Sequence, residues 1–245
     1  MKIHTWKKAL PSLFTLGNIL CGFLAINDVV QGSPASMVSA AWWIIIAGIL
    51  DALDGKVARM TRTASDFGIE LDSIADVVSF GVAPAVLIYQ YMLFEAGKVG
   101  YAVAFMFLAA GAIRLARFNT QATTGKKSHF TGIPIPGAAG IIASYVLFTE
   151  NVWGGLGNLD FFLVMTFLCS LAMVSRFRYA VLPRIGFGNR RDRIRSIWFI
   201  CHILLIARFP DEVFFPTGIL YLLSGPVRTF SIPAANYVTH KIDNR

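Results

Sequence analysis

Charge is scarce in this chain: only 15% of its 245 residues are charged, against 56% hydrophobic. With a mean hydropathy of +0.61, that balance excludes an ordinary water-soluble globule. Cysteine is scarcer still. Cys21, Cys169 and Cys201 all fall inside apolar runs, so neither a disulfide framework nor a paired-thiolate metal site is available, and they read as small core residues. No seven-residue rhythm and no Gly-X-Y repeat runs through the chain, which removes a coiled coil and a collagen-like fibre. So apolar a composition also removes disorder. No internal repeat is strong enough to suggest an inverted-repeat transporter. What is present is a series of apolar blocks separated by cations.

A hydrocarbon core of about 30 Å asks for roughly 20 mostly apolar residues per helix. Eight stretches qualify, some marginally: 10–30, 37–54, 72–94, 99–116, 137–148, 161–174, 194–207 and 213–224. The fifth and last are short, so the alternative is six or seven full crossings with a re-entrant piece. The first block carries Pro11 and Asn18 and lacks a small-residue cleavage site after it, so it is expected to persist in the mature protein. Cytoplasmic loops accumulate Lys and Arg. With Lys2, Lys7 and Lys8 inside, loops 56–62, 114–127 and 176–195 and the tail bearing Arg228, Lys241 and Arg245 share that side, leaving only Lys98 and Arg208 outside. The expectation is therefore all-α: a polytopic integral membrane helical bundle of about eight transmembrane helices, both termini cytoplasmic, forming one domain over 1–245. The net charge of +8 then answers anionic membrane lipids, and no nucleic acid partner is expected. Arg184, Arg190, Arg191, Arg193 and Arg195 either grip such headgroups or only set topology.

Six of the fourteen acidic residues, Asp51, Asp54, Asp66, Glu70, Asp72 and Asp76, crowd into positions 51–76. An unpaired carboxylate near hydrocarbon costs at least a few kcal/mol, so several together need a compensating positive charge. Residues three or four apart share a helix face, which aims Asp51 with Asp54 and Asp72 with Asp76. Two helices joined by a short turn bring all four to one point. The natural companion of converging hard oxygens is Mg²⁺ or Mn²⁺, and the lack of nearby His or Cys argues against zinc. Four aspartates suffice for two ions. The alternative is a solvated juxtamembrane charge cluster paired with Lys56, Arg59 and Arg62. Gly55, Ala58 and Gly68 leave room for a ligand or for close backbone approach.

The spacing Asp51-x2-Asp54-Gly55-x2-Ala58-Arg59-x8-Gly68-x3-Asp72-x3-Asp76 resembles in full the signature of the CDP-alcohol phosphotransferase family. The segments DFGIELDSIADVVSFGVAPA (66–85), RLARFN (114–119), GIPIPGAAG (132–140) and SRFRY (175–179) look like its phosphatidylserine synthase branch. That resemblance implies an active site facing the cytoplasm from a multi-pass inner or cytoplasmic membrane, and transfer of a phosphatidyl group from CDP-diacylglycerol to the hydroxyl of L-serine, releasing CMP. It implies two divalent cations, Mg²⁺ or Mn²⁺, bridged by Asp51 and Asp72, with Asp54 completing one site and Asp76 the other. Asp76 would also be the catalytic base. CDP-diacylglycerol binding carries over to Gly55, Ala58, Arg59, Ser65 and Gly68, and to Thr15 and Asn18 on the first helix. Family members commonly pair, so a homodimer is a further implication.

An amino-acid acceptor needs its carboxylate neutralised, and Arg114, Arg117 and Asn119 stand at the cytoplasmic end of the fourth apolar block. They are the expected serine-binding group, with cationic snorkelling as the competing reading. The signature itself is shared with branches that use glycerol 3-phosphate, inositol phosphate or choline-like acceptors. From a different class, a divalent-cation transporter predicts acids at several membrane depths. Here they gather at one edge.

Overall fold

The computed structural model describes residues 3–61, 66–123, 132–155, 157–179, 188 and 190–231, and every regular element among them is a helix. α1 (Ile3–Gln31) and α2 (Pro34–Thr61) form a hairpin. Its turn uses Gly32 at φ +72, where a side chain would be strained. Ser33 and Ser36 then cap α2 reciprocally: the Ser36 N–H donates to Ser33 Oγ at 3.1 Å and the Ser33 N–H to Ser36 Oγ at 3.0 Å. Asp28 accepts from Ser39 Oγ and from Trp43 Nε1 (3.0 Å), tying the hairpin at its closed end. Between the ends the helices meet through Ala25, Ala40, Ala41 and Ala47, all fully buried. Small residues let helix backbones approach closely where lipid supplies no hydrophobic drive.

A second rod follows, built from α3 (Asp66–Asp76), a π-helical turn (Val77–Val82) and α4 (Ala83–Tyr91). It crosses α1 at Gly22, where a Cβ would stand 2.5 Å from Ser79 Oγ and 2.9 Å from Ser79 Cα. Ser79 Oγ donates to the Asn18 carbonyl at 2.8 Å in the same crossing. Only glycine allows that approach. A 3₁₀ turn (Leu93–Ala96) leads into α5 (Gly97–Thr123), followed by α6 (Ile135–Asn151), α7 (Leu159–Val174), α8 (Arg190–Arg208) and α9 (Pro210–Ser231). α6 is the buried centre: its Tyr145, with no exposed surface, stacks on Phe162 of α7 at 4.8 Å and meets Phe215 of α9 edge-on at 5.2 Å.

Seven of the eight apolar stretches expected from the sequence fall within one helix each, and 72–94 runs from α3 through the second rod into the 3₁₀ turn. Four segments are long and apolar enough to cross a membrane: Ser12–Gln31, Pro34–Val57, Phe67–Tyr91 and Leu93–Thr120; α7 is a shorter apolar helix. The outer surface carries large apolar side chains such as Phe23, Phe105, Trp198 and Leu204, as lipid contact requires. This is an all-α polytopic membrane protein.

The C-terminal end of α7 illustrates how the signature segments serve the fold. Helix ends leave carbonyls without partners, and here the helix's own C-cap and two other segments supply donors. Ser175 Oγ and the Ile133 N–H both reach Ala172 O, at 2.8 and 3.1 Å, and Arg117 Nη1 reaches Val174 O at 3.1 Å. Beside them the Gly132 N–H donates to Phe177 O at 2.9 Å with φ +85, and a Cβ on Gly132 would lie 2.4 Å from Met173 O. Gly132→Ala is therefore expected to lower stability by roughly 1–3 kcal/mol. A thermal unfolding midpoint in detergent equal to that of the unaltered protein would contradict this packing.

Candidate active site

Asp51 and Asp54 lie toward the C-terminal end of α2, and Asp72 and Asp76 on α3, Asp76 being the last residue before the π-helical turn. Both α2 and α3 pack against α1, which brings the acidic faces together. One carboxylate oxygen from each of Asp51, Asp72 and Asp76 lies within 4.8 Å of the other two. Asp76 is 9% exposed, and the buried Oδ1 atoms of both Asp72 and Asp76 have no hydrogen-bond partner. Ionised carboxylates so placed repel one another, and their idle lone pairs are costly in a desolvated site. A bound cation would supply what the protein withholds. The donor set is oxygen only, which suits a hard divalent cation, so the residues present fit a metal centre.

Asp54, 6% exposed, meets α1 instead: its Oδ2 accepts from Thr15 Oγ1 at 2.8 Å. It stays within electrostatic reach of Asp51 and Asp72. The bond pins the open end of the α1–α2 hairpin and leaves the other Asp54 oxygen for the site. One turn along α1, Asn18 has no exposed surface, and neither its Oδ1 nor its Nδ2 has a partner. A fully buried amide with both ends idle is rare. Its backbone is held by Ser79, so the side chain is fixed beside the rod that carries Asp76. The intervening π turn adds a residue to the helical step, a device frequent at functional sites.

Gly55 follows Asp54 in α2 and Gly68 lies in the first turn of α3. Ala58 and Arg59 are on α2, but their side chains lie outside the described set, and Ser65 lies outside the described residues.

The three residues expected at the acceptor part company. Arg117 spends Nη1 on the α7 terminus, and Asn119 Nδ2 donates to Ser73 Oγ at 2.8 Å, which in turn donates to Ile69 O at 2.9 Å. Asn119 thus braces α3 one residue from Asp72. Arg114 differs: it has Asp76 and Tyr221 within electrostatic reach, and its buried Nε has no partner. Sequence reasoning placed no weight on Ser73 or Ser79, whose contacts lie 46 and 61 residues away. No spacing rule connects such positions.

Known proteins resemble this chain over most of its length. Residues 8–182 match the family model described as CDP-alcohol phosphatidyltransferase. A CDP-diacylglycerol–serine O-phosphatidyltransferase of Helicobacter pylori is 44% identical over 219 residues, 89% of this chain and 90% of the relative. One of Bacillus subtilis is 38% identical over 142 residues, 58% of this chain and 77% of the relative. An archaetidylserine synthase of Methanothermobacter thermautotrophicus is 40% identical over 141 residues, 57% of this chain and 58% of the relative. With a match running through α1 to α7 and over the whole carboxylate cluster, the chain belongs to the CDP-alcohol phosphatidyltransferase family.

Proposed function

We propose that this chain is a CDP-diacylglycerol–serine O-phosphatidyltransferase, joining the phosphatidyl group to the hydroxyl of L-serine and releasing CMP. The observation that carries the reading is the meeting of Asp51, Asp72 and Asp76 oxygens within 4.8 Å, on the aspartate spacing of a family whose similar members transfer phosphatidyl groups to serine. The archaetidylserine synthase name also ends on serine, so the acceptor is supported from relatives with two kinds of lipid product.

In this reading Asp51, Asp54, Asp72 and Asp76 would hold two divalent cations, Mg²⁺ or Mn²⁺, Asp51 and Asp72 serving both. Bound there, such ions neutralise the pyrophosphate and the charge that develops as phosphoryl transfer proceeds. The protein's own groups do the rest. Thr15 holds Asp54 in orientation through its hydroxyl. Asn18 offers a buried amide, donor and acceptor together, to the nucleotide. Arg59 meets phosphate oxygens with its planar fork of donors, Ser65 adds a hydroxyl, and Gly55, Ala58 and Gly68 give clearance. Arg114 receives the serine carboxylate with its unused Nε. Asp76 takes the serine hydroxyl proton as the new oxygen–phosphorus bond forms and the bond to CMP breaks. The released proton leaves to solvent once CMP departs. Arg117 and Asn119 stand with Arg114 as the other residues for the serine carboxylate, while one also closes α7 and the other braces α3.

The acyl tails stay in lipid while the polar head enters from the cytoplasmic side, in a bundle of about eight crossings with both termini on that side. The deciding experiment supplies purified protein with CDP-diacylglycerol, a divalent cation and each of serine, glycerol 3-phosphate, inositol phosphate and choline. CMP release is expected to be at least about tenfold faster with serine, because a site that pairs a buried cation with a carboxylate penalises acceptors lacking one. Equal rates with all four would refute serine as the acceptor.

A further inference from the structure

One face of α1 carries Thr15, Asn18 and Gly22, three and then four residues apart. Through that face α1 touches both helices that bear the aspartates. Thr15 Oγ1 donates to Asp54 of α2 at 2.8 Å, and one turn past Asn18 the bare Gly22 receives Ser79, three residues beyond Asp76 on the second rod. In an α-helix the side chain four residues on leans back over a given carbonyl. Gly22 has no side chain, so the Asn18 carbonyl lies open, and the Ser79 hydroxyl donates to it at 2.8 Å. Asn18, Gly22 and Ser79 are all buried. Ser79 also stands inside the π turn, whose closing Ala83 N–H reaches back five residues to Val78 O. Such a turn holds one residue more than an α-helical step.

We propose that Ser79 is a positioning residue for the transfer reaction: its hydroxyl locks the π turn to α1 and so fixes the height and rotation at which Asp72 and Asp76 face Asp51 and Asp54. The inference rests on the metal-binding reading of the four aspartates given above and deepens it. α1 acts as a common ruler, tied to Asp54 at Thr15 and to the second rod at Asn18, so both acidic faces are registered against one helix. A π turn that relaxed to α-helical winding would shift one side of the rod by a residue, about 100° of rotation. α4 is buried along Ala83, Leu87 and Ile88, whereas α3 exposes Phe67, Ile69 and Ile74. The side freer to turn is therefore the one that carries the aspartates. Groups that must meet on shared ions need placement to within about 0.5 Å. Ser79 acts through Asp72 and Asp76, so its loss is felt in ion binding and in kcat.

The test measures Mn²⁺ binding to the full-length protein in detergent, without substrate, from the loss of the free-ion electron paramagnetic resonance signal. Ser79→Ala removes only the hydroxyl. It is expected to weaken Mn²⁺ binding about tenfold and, at saturating metal, to lower kcat about tenfold while KM for serine stays within about twofold. Ser170→Ala is the control for a merely structural effect, since that buried hydroxyl donates within α7, to Thr166 O at 2.8 Å. It should bind Mn²⁺ within about twofold of the unaltered protein. Gly22→Ala keeps the Ser79 hydroxyl but drives a Cβ to 2.5 Å from it, so it should weaken binding at least as much as Ser79→Ala. Because both changes act on one crossing, the double variant should bind within about twofold of Gly22→Ala alone. Mn²⁺ binding by Ser79→Ala equal to that of the unaltered protein, an equal loss in Ser170→Ala, or full additivity in the double variant overturns the proposal. Should Ser79→Ala fail to fold, Gly22→Ala against the Ser170→Ala control decides by the same criterion. If the unaltered protein binds no Mn²⁺, the metal reading fails and this inference with it; if it binds and Ser79→Ala binds equally, Ser79 alone is misassigned.

Discussion

Asp76→Asn is expected to cut kcat by roughly a thousandfold or more while the protein folds as before. The substitution is isosteric, and Asp76 Oδ1 makes no hydrogen bond that an amide would lose. What changes is charge and basicity. An amide takes up no proton from the serine hydroxyl and is a poor ligand for a hard cation, so both roles assigned to this side chain vanish together. Stability should move the other way or stay level, because one of three mutually repelling carboxylates within 4.8 Å has been neutralised. Fold loss and catalytic loss are thereby separable: single-turnover CMP release reports the chemistry, and the unfolding midpoint in metal-free buffer reports the fold. Near-normal turnover by Asp76→Asn would remove it from the mechanism.

Much of this was legible before any coordinates, for identifiable reasons. Membrane helices must satisfy their own backbone, so apolar block length alone located the eight helical bodies among the described residues. The aspartate cluster was equally legible, since i,i+3 and i,i+4 spacing fixes which side chains share a face before anything is known about packing. What sequence spacing left undetermined is how side chains far apart in the chain pair off. Asp54 lies within the signature, yet its partner is Thr15, 39 residues earlier. Arg114, Arg117 and Asn119 read as one group on one helix end, but a helix distributes such neighbours around its axis. Arg114 consequently lies in electrostatic reach of Asp76 on α3 and Tyr221 on α9, Arg117 reaches the end of α7, and Asn119 reaches Ser73 of α3. The π turn after Asp76 was invisible for a similar reason. Nothing in VVSFGV announces it, and the crossing at Gly22 against Ser79 is where the extra residue is accommodated.

Removal of divalent cations is expected to take turnover to background, and restoring Mg²⁺ or Mn²⁺ to recover it. The expectation follows from the same orphaned oxygens. Two buried Oδ1 atoms without donors, beside a third carboxylate, leave the site poorly balanced until a cation arrives. A ligand that binds only the folded protein also stabilises it, by about 2.7 kcal/mol at a hundredfold excess over its dissociation constant. Added metal should therefore raise the unfolding midpoint of the chelated protein with no substrate present. The Asp51→Asn, Asp72→Asn double variant separates this effect from non-specific ion binding. It removes one carboxylate from α2 and one from α3, so it should lose the metal-dependent rise entirely while keeping the Thr15 to Asp54 bond at the hairpin's open end. Turnover that persists in chelator, or a double variant that metal stabilises as strongly as the unaltered chain, would mean that this carboxylate cluster is not where the ions bind.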